Sequence, residues 1–479
     1  MGQIGQAVTL LENGDAASAA RLCRALLAAD PRCGAAQVLL ACALLALGAD
    51  WPGALAAADA ALELVPSAAP AHFVRGTALH ALGRAADAVA ALRAAIALAP
   101  EDAGAWLNLG NALASLDRLE AAEAALRRAC ALAPDAAAHA SLGTVLVQRL
   151  RLPEAIDAYR AALRLNPDFG PARWDLGFAE LLAGDFAAGW ADMRARKPEE
   201  NAALAARGVR GAEWDGMAPA GRTLLVCSAQ GLGDAIQFAR YLPLLAGRGA
   251  RVLLACDARL APLLRRMAGV AAVVAPGEPL PPHDAWVALS SLPRLFATDA
   301  GSVPAAAAYL AADPAAVAAW RALLPAGRPG VGLVWAGNPA HANDPRRSMP
   351  QAALAPLLAV SGIAWVSLQQ GGAVPPGVVD WAPRLTDFSA SAAAVAALDL
   401  VITVDTATAH LAGALGRPAW VALPWAPDWR WQLGRVDSPW YASLRLFRQP
   451  RPGDWNGVAE ALATALSGCV SPSPSASRP

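Results

Sequence analysis

Neither sign of charge predominates in this chain: 39 Lys and Arg face 39 Asp and Glu. With no basic stripe, nucleic acid is not expected as a main partner. No apolar run reaches the ~20 residues of a membrane span, although hydrophobic residues make up 56% of the sequence. Alanine inflates that fraction. The opening MGQIGQAVTLLENGD lacks a basic segment followed by an apolar core, so no signal peptide is expected. Gln6 breaks the myristoylation pattern. The seven cysteines, 23, 33, 42, 130, 227, 256 and 469, form no CxxC pair. They read as buried or incidental thiols in a reducing cytoplasm. The six histidines, 72, 80, 139, 283, 341 and 410, show no ligand spacing, so neither metal nor cofactor is expected.

What is there falls into two halves, and 479 residues suffice for two or three domains. Prolines 31, 66, 100, 134 and 167 are spaced by 35, 34, 34 and 33 residues. A period of ~34 is the tetratricopeptide signature. Phe73, Gly76, Leu79, Ala88, Leu92, Ala95 and Pro100 occupy that family's helix-packing positions. Trp106, Leu109, Gly110, Leu113, Ala122, Leu126, Ala129 and Pro134 repeat them. Gly143, Ala155, Tyr159, Ala162 and Pro167 continue the series. Residues 1–195 are therefore expected to form a helical superhelix, with atypical units at 1–33 and about 170–195 as end caps. Such superhelices present a concave face to a protein or peptide; a spacer or dimerisation surface is the competing reading.

Residues 196–221, charged and then rich in Gly and Pro, read as a linker with some helix, ending in a loop that packs Trp214 near the next domain. Beyond it, strand-like and helix-like segments alternate, which implies parallel sheets. One series occupies 222–320 and a second 321–468. Ligands are expected in a cleft at the carboxyl ends of the strands. The final helix, 458–466, is expected to pack against the first series, and the tail 469–479 to be disordered.

Two stretches could carry chemistry. In CSAQGLGDAIQFARYLP, 227–243, a strand at Thr223–Cys227 leads through Gln230, Gly231 and Gly233 to Asp234 in the first turn of a helix. Glycines permit close approach of backbone to ligand; alternatively, Asp234 is simply a capping carboxylate. In LDLVITVDTATAHLAGALGRP, 398–418, a buried strand ends at Asp405 and a turn opens a helix bearing His410. The hydroxyls of Thr406 and Thr408 and the N–H groups of the turn, including that of Ala407, suit a diphosphate. Capping and packing are again the alternative. A third stretch, 424–441, gathers Trp425, Trp429, Trp431 and Trp440 with Asp428 and Arg430. Rings with polar partners suit sugar or base stacking, against an aromatic wedge that holds the final helix.

QGLGDAIQFARYLP together with VDTATAHLAGALGRP resembles the ADP-heptose:lipopolysaccharide heptosyltransferases, a bacterial family of inverting glycosyltransferases. The resemblance covers about residues 220–468. It is closest to the branch in which this domain follows tetratricopeptide repeats. It implies a GT-B fold of two Rossmann-like domains, acceptor side first and nucleotide-sugar side second. It also implies metal-independent transfer of a sugar from a nucleotide-diphosphate donor to a protein or glycan acceptor. By resemblance the catalytic base falls on Asp234. The donor diphosphate falls to Asp405, Thr406, Ala407, Thr408 and His410, and the family's phosphate-binding Lys to Arg347 in PRRSMP, with Arg346 a weaker equivalent. Gln230, Gly231, Gly233, Gln369, Asp428 and Arg430 complete the candidate substrate contacts. The chain departs from the family pattern in carrying Ala407 for Gly, Arg347 for Lys and Ala229 for Glu. The competing reading is a degenerate, non-catalytic transferase domain on a repeat scaffold.

Overall fold

The computed structural model describes residues 2–194, 198–304, 308–341 and 343–470. The chain divides into two compact units, Met1–Leu176 and Gly177–Pro479. The division between the units falls at 176/177.

The first unit consists of helix pairs: α1 (Gln3–Glu12) with α2 (Ala16–Ala29), α3 (Gly34–Leu47) with α4 (Trp51–Leu64), α5 (Ala69–Ala81) with α6 (Ala85–Leu98), α7 (Ala103–Ser115) with α8 (Leu119–Leu132), and α9 (Ala136–Gln148) with α10 (Leu152–Leu165). α11 (Gly170–Ala183) begins a further pair with α12 (Phe186–Asp192), and the division between units lies within α11. Residues 1–33, expected to be atypical, form an ordinary pair. Asp15, Asp50, Asp102 and Asp135 cap α2, α4, α7 and α9 by accepting a backbone N–H three residues on. The second helix of each pair stops two residues before the periodic proline, which cannot continue it.

In α5/α6, α7/α8 and α9/α10 the two helices touch at a glycine. A Cβ on Gly76 would lie 2.5 Å from Leu92 Cγ, on Gly110 2.5 Å from Leu126 Cγ, and on Gly143 2.7 Å from Tyr159 Cε1. The larger residue fills the space the missing side chain leaves, so the 34-residue period fixes a glycine-to-bulky contact in each of these repeats.

Among the described residues, the second unit holds two wholly parallel sheets. Strands β1 (Thr223–Cys227), β2 (Arg251–Ala255), β3 (Val270–Val274) and β4 (Ala285–Ala288) form the first, in the order β3-β2-β1-β4. Strands β5 (Gly330–Val334), β6 (Ala364–Ser367), β7 (Val379–Asp380), β8 (Leu400–Val404), β9 (Ala419–Leu423) and β10 (Leu444–Arg448) form the second, in the order β10-β9-β8-β5-β6-β7. The helices are α13 (Pro198–Ala206), α14 (Leu232–Phe238), α15 (Leu242–Gly247), α16 (Ala261–Leu264), α17 (Leu292–Leu295), α18 (Pro314–Arg321), α19 (Asp344–Arg347), α20 (Ala355–Leu358), α21 (Phe388–Ala397), α22 (Ala407–Ala414) and α23 (Trp455–Val470). No helix of the described residues is long and apolar enough to cross a membrane.

Two local expectations are corrected. The final helix packs on the six-stranded sheet rather than the four-stranded one: Val458, Leu462 and Leu466 share a core with Val331, Leu333, Ile402 and Phe447. An apolar stripe announces a buried face but not the partner that buries it. The same helix runs through 469 and 470, so the expected disordered tail begins two residues too early; residues 471–479 lie outside the described residues. Within 196–221, α13 is regular, and Trp214 is buried, donating its backbone N–H to the Trp286 carbonyl at 2.7 Å, so this stretch is built onto β4. Within 222–320, residues 305–307 lie outside the described residues.

The glycine contacts generate a test. Gly110→Ala gains about 1 kcal/mol of helix propensity but forces a Cβ against Leu126, an overpacking cost of about 1–3 kcal/mol. The net outcome expected is a lower thermal midpoint. A midpoint at or above that of the parent protein would show that the repeats relax around the added methyl at no cost.

Candidate functional site

β1 is buried from Leu224 to Cys227, and the chain leaves it through Gln230 into α14. Gly231 is the N-cap residue, and Asp234 Oδ2 accepts its backbone N–H at 3.2 Å. The carboxylate thus closes the first turn of its own helix. Its other oxygen, Oδ1, accepts from Arg430 Nη2. Gln230 turns the opposite way and donates to Glu200 Oε2 at 3.1 Å; Glu200, buried on α13, also takes the Ser290 hydroxyl at 2.7 Å. One carboxylate from the preceding helix therefore joins the turns that follow β1 and β4.

β8 leads to the second turn. Asp405 is partly exposed, and Thr406 is the N-cap of α22, with its hydroxyl 3.0 Å from that of Thr403 and no side-chain bond to the helix N–H groups. Ala407 and Thr408 lie in the first turn of α22. Ala407 is not among the residues of positive φ, so glycine's conformational freedom is not required there. His410 is buried: its Nδ1 lies 2.9 Å from the Tyr441 hydroxyl, and its ring stacks on Trp431 at 5.4 Å. Burial, with the nearby Arg430 and Arg240, holds its pKa well below the ordinary value. At neutral pH it is an uncharged packing and hydrogen-bonding residue.

The two turns meet. A Cβ on Gly233 would lie 2.8 Å from His410 Cδ2 and 3.6 Å from Ala407 Cα. Glycine here allows α14 to lie against α22; the close approach is between two helices. Arg430 completes the junction. It donates to both oxygens of Asp428, at 2.8 and 2.9 Å, to Asp234 and to Gln237 Oε1, and its guanidinium lies 4.6 Å from the centre of the Trp429 ring. Burial opposes its charge, but Asp428 and Asp234 outweigh that and raise its pKa. Trp429, Trp431 and Trp440 are fully buried. They pack on Phe186 and Trp190 of α12, on Phe238 of α14 and on His410. This stretch is an aromatic wedge, set among α12, α14 and α22 rather than under the final helix. Trp425 alone of the four is half-buried.

Arg347, on α19, is mostly buried and donates to Asp344 Oδ1 at 3.3 Å. Gln369 stands apart from the junction: its Oε1 accepts the backbone N–H groups of Trp335 and Ala336, at 3.1 and 2.9 Å, and so holds the chain leaving β5. Asp405 directly follows β8. Loss of hydration and then the Asp428 carboxylate raise its pKa to about 6, against the pull of Arg430, the Trp431 indole and Arg347. Glu200, Gln237 and Asp344 were not flagged by the sequence. Glu200 is 30 and 90 positions from Gln230 and Ser290; Gln237 and Asp344 lie within or beside the quoted motifs, but neither residue type there signals a contact.

Comparison with known proteins identifies the repeats and finds one relative whose match extends well beyond them. A tetratricopeptide repeat model matches residues 4–69, 40–103, 73–137 and 141–207; the N-terminal unit is built of these repeats, and they point to binding of a protein partner. Protein FlbA of Caulobacter vibrioides is 32% identical over 396 residues, 68% of this chain and 66% of FlbA. The chain thus spans just under two thirds of that relative's length. Among solved structures, MamA is 28% identical, covering 31% of this chain and 87% of its own, with a TM-score of 0.29. A thermophilic tetratricopeptide protein of Thermus thermophilus is 26% identical, covering 37% and 97%, with a TM-score of 0.32.

The raised Asp405 pKa carries a sign. An unfolded carboxyl titrates near 3.8 and the folded one near 6, so between these values the native state holds a proton the unfolded state has lost. The stability Asp405 contributes is complete below pH ~3.8 and is lost as pH rises towards ~6. Denaturant unfolding of parent and Asp405→Asn proteins from pH 4 to 7 should show a stability difference that changes over this window and is level above it. A difference level throughout would mean that Asp405 titrates normally.

Proposed function

We propose that the second unit is an inverting glycosyltransferase of GT-B type. It moves a sugar from a nucleotide-diphosphate donor to an acceptor that the repeats recruit, a protein or a glycan carried by one. The observation that carries this reading is the meeting of two turns from separate parallel sheets. Each lies at the carboxyl end of a buried strand, where ligands bind in open α/β folds. One turn brings a carboxylate, Asp234. The other brings a helix N-terminus not capped by the Thr406 side chain, with Arg347 and Arg430 close enough to act on Asp405. The two turns thus bring guanidinium groups, each paired with carboxylates, and the N–H groups at the start of α22 to the same side as Asp234.

In this mechanism the acceptor hydroxyl gives its proton to Asp234 as its oxygen attacks the anomeric carbon from the face opposite the leaving group. The bond from that carbon to the diphosphate oxygen breaks, and the developing negative charge is met by Arg347, Arg430 and the N–H groups at the start of α22. The tryptophan wedge keeps water from the junction. Metal is not required by this scheme, because guanidinium groups and backbone dipoles supply the positive charge.

A second reading has a specific observation in its favour. Asp234 is already engaged, by its own helix and by Arg430, as a purely structural cap would be. In that case the domain is a scaffold whose turns have lost catalysis. Asp234→Asn separates the two. Asn keeps the shape and an oxygen for the Gly231 N–H but takes one carboxylate from Arg430, so the thermal midpoint should fall while the variant stays folded. Transfer from a panel of nucleotide sugars to acceptors in a cell extract should fall by roughly 10²–10⁴-fold, the usual contribution of a general base. Unchanged turnover in the folded variant would remove Asp234 from the chemistry; no transfer or donor hydrolysis by the parent protein would favour the scaffold.

A further inference from the structure

Arg430 has two functional edges. Nη1 is held by both oxygens of Asp428, two residues away on the same loop. Nη2 crosses to Asp234 on α14, and Nε to the amide oxygen of Gln237 on the same helix. The side chain keeps only 13% of its surface exposed, and Asp234 keeps 27%. Close by, Gln237 Nε2 is buried and has no hydrogen-bond partner, a costly state for an amide N–H. Three carboxylates, Asp234, Asp405 and Asp428, act on this one guanidinium. A diphosphate that arrives at the α22 turn therefore meets a cation already neutralised by carboxylates, while Asp234 meets its substrate with a cation already attached.

We propose that Arg430 is an exchanging cation: without donor its Nη2 edge masks Asp234, and a nucleoside diphosphate group takes that edge over and frees the carboxylate. Asp428 anchors the guanidinium throughout, so the exchange is a change of partner at one edge and not a swing of the whole side chain. The unpartnered Gln237 amide supplies a second donor at the same place. Donor binding and activation of the base are thereby one event, and Asp234 is available for proton transfer only when a leaving group is in position. This inference rests on the transferase reading of the same cleft.

The experiment is a double-mutant cycle read by calorimetric binding of UDP, GDP and ADP to the full chain, with thermal midpoints as a folding control. The sign for Asp234→Asn is the discriminating one. Removing the carboxylate that competes for Arg430 should tighten binding of the preferred nucleoside diphosphate by about tenfold, the worth of one charge-assisted hydrogen bond at the low end of its range. Arg430→Gln should weaken it by about tenfold or more, and Arg430→Lys should fall between. In the Asp234→Asn/Arg430→Gln double variant the gain from Asp234→Asn should vanish. Binding by Asp234→Asn no tighter than the parent overturns the exchange, as does a gain that survives without Arg430. The Asp234→Asn arm retains this power even where an Arg430 variant fails to fold. Failure of the parent itself to bind any of the three nucleotides would overturn the transferase reading and the exchange together, an outcome distinct from tight parental binding that ignores both substitutions.

Discussion

The guanidinium of Arg430 is the group on which the second unit depends. A buried cation is tolerable only when carboxylates and hydrogen bonds replace its water, and here they come from both layers: Asp428 from the loop after β9, Asp234 and Gln237 from the helix after β1. Removing any one partner leaves charge or N–H groups uncompensated in a wedge of tryptophan. The tryptophans, in turn, pack because α14 and α22 approach closely at Gly233, where any side chain would strike His410. Polar pairing and helix contact are thus one arrangement. The first fixes the orientation of the turns, and the second fixes their separation.

The repeats obey a different logic. Their alanine-rich helices bury little area per residue, and cohesion comes from fitting a bulky residue into a glycine gap at a constant offset. Charge adds to this where it is sheltered: Glu123 on α8 is almost wholly buried and pairs with Arg127 on its own helix and with Arg149 and Arg151 beside α10, tying adjacent repeats. Isolated exposed pairs contribute little, but a carboxylate enclosed by three guanidinium groups leaves no cheap way to lose one of them.

Much of this was legible in the sequence, for reasons that differ by element. The repeats show themselves because their contacts are local and recur every ~34 residues. Strands β1, β8 and β9 are short apolar runs, the last two ended by Asp405 and Pro424, and they fall where such runs predict. β7 is two residues long and β10 reads LRLFR, with arginines interrupting the run, and neither carries a strand signature. The partner of α23 was not legible, because amphipathic spacing gives a face without an address. Glu200 and the Asp234–Arg430 pair were not legible as contacts either: they join residues 30 to 196 positions apart. A motif can nominate Asp234 and Arg430 separately, but only tertiary packing brings them together.

The same limit applies to the substituted positions. Ala407 stands where the resembling family has glycine, and from the sequence that replacement suggests a turn forced into an unfavourable conformation. In the fold the residue is in the right-handed first turn of α22, where alanine is the better helix former. Its N–H points along the helix axis as a glycine's would, and the methyl group adds rigidity without removing the donor. The loss of a family residue is therefore not a loss of the interaction that residue provides whenever the backbone conformation, rather than the side chain, was the functional element. Arg347 for Lys follows the same rule from the opposite direction: the charge is kept, its geometry becomes a planar fork, and Asp344 holds the Nε edge of it.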